Sequence, residues 1–194
     1  MKKIMAAIAL LGLSALILLV SVSRASLEAM AKEDREGNLR VEPVLSEGKI
    51  VYKLPPIKML PNNIFYGVKE MRDWLWRKFS FGEIKKSRTE LLIADKKIAE
   101  SKILIEKENY SLAIESGAKA VDKLKYAKSL VDQTKQYNVE IEAIRKQIRD
   151  ATAAYELIIQ GIKPSLEVDE QKYNELKEKI NEFKEEQKKE GWEF

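Results

Sequence analysis

The chain of 194 residues contains neither cysteine nor histidine. Without cysteine it forms no disulfide bond and carries no lipid on a signal cysteine, so its stability in an oxidising compartment must come from packing alone. The two absences together exclude Ser/His and Cys/His nucleophile pairs, a histidine general base, and metal sites built from His or Cys. Catalysis would have to rest on a pair of carboxylates or on a lysine.

Common sequence motifs for ligand binding and catalysis are absent as well. The chain has no Asp-x-Asp calcium loop, no Gly-x-Gly-x-x-Gly and no Gly-x-Ser-x-Gly. Its neighbouring glutamates, such as Glu185 and Glu186, sit among lysines in stretches typical of solvated helix faces. We therefore predict no catalytic residue, no cofactor and no metal site, and we expect that the protein is not an enzyme.

Residues 1–25 indicate where the protein works. Two lysines precede a run from Ile4 to Val20 without a charged residue, and small residues follow it. This order is typical of an export signal, so the rest of the chain is expected to be extracytoplasmic. The apolar run is long for a cleaved signal and barely long enough to span the ~30 Å hydrocarbon core of a bilayer. Cleavage before Ser26, which would secrete the protein, and an uncleaved membrane anchor over residues 4–22 both stay open.

The same segment accounts for most of the basic character of the chain. The net charge is +4 and the isoelectric point about 9.0. Residues 1–25 hold three of the 35 basic residues (Lys2, Lys3 and Arg24) and no acidic one, so 32 basic residues face 31 acidic ones in the remainder. Nucleic acid binding needs a concentrated basic face, and we therefore predict no nucleic acid partner.

Residues 26–60 have the composition of a flexible linker. They combine charged residues with two glycines and three prolines, which leaves too little apolar surface for independent folding. Val51, Tyr52 and Leu54 are expected to form a short extended piece that lies on the following domain. That domain is predicted to be helical over residues 61–190.

The first predicted helix, from about Ile64 to Phe79, is unusually aromatic. Apolar residues recur on it every three or four positions and predict a buried stripe of Ile64, Val68, Met71, Leu75 and Phe79. Tryptophans beside basic residues at the edge of such a stripe are also typical of helices at a membrane interface. The rings therefore either cap one end of a bundle or contact a partner or a membrane. The candidate contact residues are Phe65, Tyr66, Trp74, Trp76, Arg77 and Lys78.

Four further helices are predicted in two antiparallel hairpins, over residues 83–134 and 138–189. The second helix has two apolar sides, which predicts burial between neighbours, and small residues around Gly117 on the third would allow a close approach. The fourth helix carries a coiled-coil-like seam that residues of the fifth match. The seam consists of Ile141, Ile144, Ile148, Ala151, Tyr155, Ile158 and Ile162, matched by Tyr173, Leu176, Ile180 and Phe183. The prediction is an all-α fold of about five helices.

Residues 50–190 resemble a known family, most specifically over residues 60–113. The segment Leu60–Lys69 leads into the tryptophan-rich helix and is followed by Phe79–Phe81, Leu92–Glu100 and Asn109–Ala113. This series is similar to an uncharacterised exported domain of prokaryotes, grouped as a domain of unknown function, which has a signal or anchor, an aromatic helix and helical hairpins. The resemblance implies the fold and the compartment, but it implies no activity.

The sequence as a whole predicts an exported, non-enzymatic helical module with a structural or binding role. The contact would run through exposed parts of the aromatic helix or through the helical hairpins, toward a protein partner at the cell surface. The first alternative is a membrane-surface module in which the helix over residues 64–81 lies in the lipid interface. The second alternative, a carboxylate-based enzyme, would require a deep pocket with two converging carboxylates.

Overall fold

A computed structural model describes residues 44–46, 49–134, 139–164 and 166–192. The predicted signal or anchor, residues 1–25, lies outside the described residues, and so does the first part of the predicted linker, residues 26–43. In the described part of the chain a two-stranded hairpin is followed by five helices. The elements are β1 (Val44–Ser46), β2 (Lys49–Tyr52), α1 (Tyr66–Phe79), α2 (Glu83–Glu106), α3 (Tyr110–Asp132), α4 (Val139–Gln160) and α5 (Glu167–Lys189). The predicted all-α fold with about five helices is confirmed.

Helices α2 and α3 pack against each other along their length as a hairpin. Two buried serines of α2 reach across the contact, because the Ser87 and Ser101 hydroxyls donate to the Ala127 and Ala113 carbonyl oxygens of α3, both at 2.8 Å. Small side chains let the two backbones approach closely enough for these bonds. α2 is buried on several sides, as its two apolar faces predict.

Helices α4 and α5 complete the bundle by packing on α3 and on each other. Most of the predicted seam is buried: Ile141, Ile144, Ile148, Ala151, Tyr155, Ile158 and Ile162 are all buried, and so are Leu176, Ile180 and Phe183. Tyr173 is partly buried against the same core. Burial of each large aliphatic side chain contributes roughly 1.5–3 kcal/mol to folding. The main hydrophobic core of the described chain lies between α2, α3, α4 and α5.

The second half of the predicted linker is ordered, which corrects the prediction of a flexible segment through residue 60. The short extended piece expected around Val51, Tyr52 and Leu54 is present, because β2 ends at Tyr52 and Leu54 is buried. Strands β1 and β2 form an antiparallel hairpin that packs on α4. Leu54, Ile57 and Leu60 are buried in the same core as the helices. The Tyr52 hydroxyl donates a 3.0 Å hydrogen bond to the Asp95 carboxylate of α2. Four apolar or aromatic contacts close together in sequence are enough to hold a segment that is otherwise rich in proline and charge.

Candidate functional site

Helix α1 lies on the outside of the bundle with its charged side inward. Among the described elements it contacts α2 alone. Lys69 and Asp73 are its buried residues, each 7% exposed, although the helix is rich in apolar side chains. The contact surface between α1 and α2 is therefore ionic and hydrogen-bonded.

A cluster of charges and one phenol joins the first half of α1 to α2. Lys69 pairs with Glu100, which is 0% exposed, and Lys97 pairs with Glu70. The Tyr66 hydroxyl donates to the second Glu100 oxygen at 2.6 Å and accepts from Lys97. Burial, and next the Lys97 ammonium group, lower the pKa of Lys69 to about 8. Burial and the neighbouring Glu70 raise the pKa of the Tyr66 hydroxyl, which keeps it protonated as a donor.

A second ion pair fixes the C-terminal half of α1. The Arg77 Nε atom donates to the Glu90 carboxylate at 2.6 Å, and Glu90 is fully buried. Lys123 of α3 approaches the other Glu90 oxygen at 3.4 Å. These pairs sit two helical turns from the Lys69 cluster, so α1 is held at both ends and its rotation about its own axis is set.

This orientation of α1 turns the predicted buried stripe toward solvent. It is therefore wrong that the core includes Ile64, Val68, Met71, Leu75 and Phe79. Val68 is 59% exposed and Phe79 is 70% exposed. The cause is the pairing of α1 with Glu90, Lys97 and Glu100, which selects the charged side of the helix for burial. We call the exposed apolar surface the outward face; it consists of Ile64, Phe65, Val68, Met71, Leu75, Phe79 and Phe81.

A tryptophan with a basic neighbour lies on each flank of the outward face. The Arg72 and Lys96 side chains lie over the Trp76 ring, at 5.8 and 5.4 Å from its centroid. On the other flank Lys78 lies over the Trp74 ring at 5.7 Å. Both indoles are about half exposed. The apolar surface is therefore bordered by aromatic rings and positive charge.

The candidate contact residues divide between the two sides of α1. Phe65, Trp74, Trp76 and Lys78 are exposed on or beside the outward face. Tyr66 and Arg77 instead bond to Glu100 and Glu90 on the inner side, so they hold the helix on the bundle.

The spacing of the aliphatic residues predicts a stripe along α1, but it does not say whether that stripe or the opposite side of the helix is buried. The signal that would have decided between the two sides lies in α2. Glu90, Lys97 and Glu100 recur at helical spacing and are opposite in charge to Arg77, Glu70 and Lys69 of α1. That match in charge predicts an ionic contact between the two helices, and hence an exposed apolar stripe.

Clefts in the described part of the chain carry glutamates, and in one of them Glu115 of α3 and Glu175 of α5 lie beside Lys172 and Lys179. Another, open cleft of about 660 Å³ carries Glu178, Glu182, Glu185 and Glu186, but every residue lining it belongs to α5. No second element places a group opposite these carboxylates. Across the described ranges no group of three or more metal-binding side chains comes together. Of the five helices described, none combines the length and apolar character that a membrane crossing requires.

The fold and the surface together define an all-helical module with an amphipathic helix attached by its charged side. A family model described as a domain of unknown function (DUF5667) matches residues 58–191, and the chain belongs to this family. The resemblance to an uncharacterised domain family is thereby confirmed. Searches of curated proteins and of solved structures find no match to the chain.

Proposed function

We propose that the protein is an exported, non-enzymatic helical module that works by docking through the outward face of α1. The observation that carries the proposal is the inverted orientation of this helix. Five aliphatic and aromatic residues at helical spacing are exposed while Lys69 and Asp73 are buried. Contiguous exposed apolar surface of this kind marks interaction sites in soluble domains.

The energetics favour a surface that is covered during function. Each large apolar side chain left in water forgoes roughly 1.5–3 kcal/mol of burial free energy. A buried ion pair returns little of this, because the desolvation cost of the two charges offsets most of their attraction. Orienting α1 by Lys69–Glu100 and Arg77–Glu90 therefore costs stability in the free protein, and docking regains it.

Export is supported by the sequence of residues 1–25, with its basic start, long apolar run and small residues before Ser26. The body of the protein then works outside the cytoplasmic membrane, either released by cleavage before Ser26 or held by residues 4–22. A non-enzymatic role fits the lack of histidine and cysteine and the exposed, one-sided placement of the glutamates along α5.

A photo-crosslinking experiment in intact cells tests the docking surface. Benzoylphenylalanine is introduced at Val68, at the centre of the outward face, and in a matched chain at Glu182, which is exposed on α5. Illumination of the full chain is expected to give adducts at position 68 and none at position 182. The mass of the adduct separates a lipid from a protein.

Absence of any adduct at position 68, with normal amounts of folded protein, would show that the outward face is unoccupied and would refute the proposal. Fractionation of the same cells, with the mass of the native N-terminus, tests the compartment. A chain that starts at Met1 and stays in the cytoplasm contradicts export.

A further inference from the structure

The composition of the outward face favours one kind of covering surface. Its central residues are aliphatic or phenylalanine, and the two acidic residues of α1, Glu70 and Asp73, pair with Lys97 and Arg72 away from its centre. The charged side chains that lie over the flanking tryptophan rings are Arg72, Lys78 and Lys96, which are all basic, although Arg72 also pairs with Asp73. We infer that the outward face of α1 docks on a lipid surface with anionic headgroups; this inference rests on the proposed docking function.

The arrangement of side chains matches a helix that lies in the plane of a membrane interface. Such a helix buries an apolar face about 5–10 Å deep and keeps basic residues at headgroup level, while tryptophan favours the boundary between the two layers. Trp74 and Trp76 lie on opposite flanks of the outward face, each with a basic side chain over its ring. The rings and charges thus border the apolar centre on both long sides of the helix.

The surface also continues past both ends of α1. Ile64 and Phe65 precede the helix and Phe81 follows it, and all three are largely exposed. At about 1.5 Å per residue the 14-residue helix is roughly 21 Å long, and these flanking side chains extend the apolar surface beyond it. Because the outward face is on the side of α1 opposite the residues that bond to α2, it can lie on a flat surface while the bundle stays above it.

The sequence before β1 supplies a second reason for a membrane as the occupant. Residues 23–43 separate the predicted anchor over residues 4–22 from β1, and these 21 residues span at most about 75 Å when fully extended. An intact segment over residues 4–22 would therefore keep α1 within reach of a bilayer. At this distance the local concentration of membrane is high, so even a modest intrinsic affinity of α1 suffices for docking.

The test uses the full chain in vesicles and follows the environment of α1. Because the chain has no cysteine, a single cysteine introduced by Val68→Cys or, as a control, Glu182→Cys takes up one environment-sensitive fluorophore. The labelled chain is added to phosphatidylcholine vesicles with or without phosphatidylglycerol, which contain a lipid-borne quencher. The emission of the label at position 68 is expected to shift to the blue and to be quenched. Both effects should be larger with phosphatidylglycerol and smaller at high salt, whereas the emission of the label at position 182 should stay unchanged.

A second substitution addresses the surface directly. Leu75→Asp, about two helical turns from the label at position 68, places a negative charge in the apolar centre without disturbing the core, since Leu75 is already partly exposed. Most of the quenching is expected to disappear, while thermal unfolding of the chain stays unchanged. Quenching that persists with Leu75→Asp overturns the lipid assignment.

Two other results overturn the lipid assignment but leave the docking function in place. One is that the emission of the label at position 68 does not change when vesicles are added, while the photo-adduct formed at that position in cells is a protein. The other is a label that becomes protected without lipid as the protein concentration rises, which identifies a second copy as the occupant. If the label stays in water and the cells give no adduct, both the lipid assignment and the docking function are wrong.

Discussion

Lys69 of α1 and Glu100 of α2 form an ion pair that is almost completely removed from solvent. The pair holds the charged side of α1 against the bundle, and the apolar residues of the same helix consequently point outward. A buried ion pair adds little net stability, but it specifies which of two helix faces is buried. The orientation that exposes the candidate docking surface therefore depends on a few charged residues.

We predict that Glu100→Gln loosens α1. The substitution removes the carboxylate that Lys69 and Lys97 share, and an uncompensated buried charge costs about 3 kcal/mol. Amide hydrogen exchange across residues 66–79 is expected to accelerate strongly, while exchange across α4 stays slow. The added substitution Lys69→Met removes the stranded charge and should restore most of the protection. Equal exchange in the wild type and in Glu100→Gln would show that the pair does not hold the helix.

The outward face should tolerate polar substitution without loss of stability. Val68→Ser and Phe79→Ser change side chains that are more than half exposed, so each should alter the free energy of unfolding by less than about 0.5 kcal/mol. Ile148→Ala, in the buried seam of α4, is the matched control and should cost about 2–5 kcal/mol. Urea denaturation measures all three. A loss of 2 kcal/mol or more for Val68→Ser would place that residue in the core.

The helices of the bundle were predictable because their apolar residues keep a regular spacing over many turns. In α4 the seam from Ile141 to Ile162 has one wide apolar side, and only one orientation buries it. Hydrophobic burial then decides the packing without further information. The number, order and approximate bounds of the helices follow from this periodicity and from the turns between them.

Two features depended on contacts that periodicity does not reveal. The orientation of α1 follows from charge pairs with α2, which lie 13 to 31 residues away in sequence. The order in residues 49–60 follows from the fit of Ile57 and Leu60 into the core and from the bond between Tyr52 and Asp95, 43 residues apart. Local composition favoured a flexible segment there, and tertiary contacts outweighed it.

The close approach of three helices at Gly117 gives a third prediction. A Cβ atom at this position would lie 3.1 Å from the Leu176 Cδ2 atom of α5 and 3.5 Å from the Ser101 hydroxyl oxygen of α2. Gly117→Val should therefore lower the free energy of unfolding by about 2 kcal/mol. Leu176→Ala makes room for the valine, so it should destabilise the Gly117→Val protein less than it destabilises the wild type. A double-mutant cycle measures this difference. Strict additivity of the two substitutions would contradict the contact.

The buried Asp95 carboxylate predicts a specific dependence of stability on pH. It accepts hydrogen bonds from the Tyr155 hydroxyl at 2.8 Å and from the Tyr52 hydroxyl at 3.0 Å. Burial raises its pKa to about 6, although both hydrogen bonds act in the opposite direction. In the unfolded chain an aspartate has a pKa of about 3.9. When the pH lies between these two pKa values, the folded state therefore binds a proton that the unfolded state does not bind.

The stabilising effect of this proton is complete below the unfolded pKa of Asp95 and is lost as the pH rises through about 6. Between pH 7 and pH 5, wild-type unfolding free energy should rise relative to Asp95→Asn by on the order of 1 kcal/mol. The comparison with Asp95→Asn removes the contribution of other groups, such as Glu70, whose lowered pKa acts with the opposite sign. Urea denaturation at several pH values measures the difference. Parallel pH profiles for the two proteins would show that Asp95 stays ionised in the fold, and that the two tyrosine donors outweigh its desolvation.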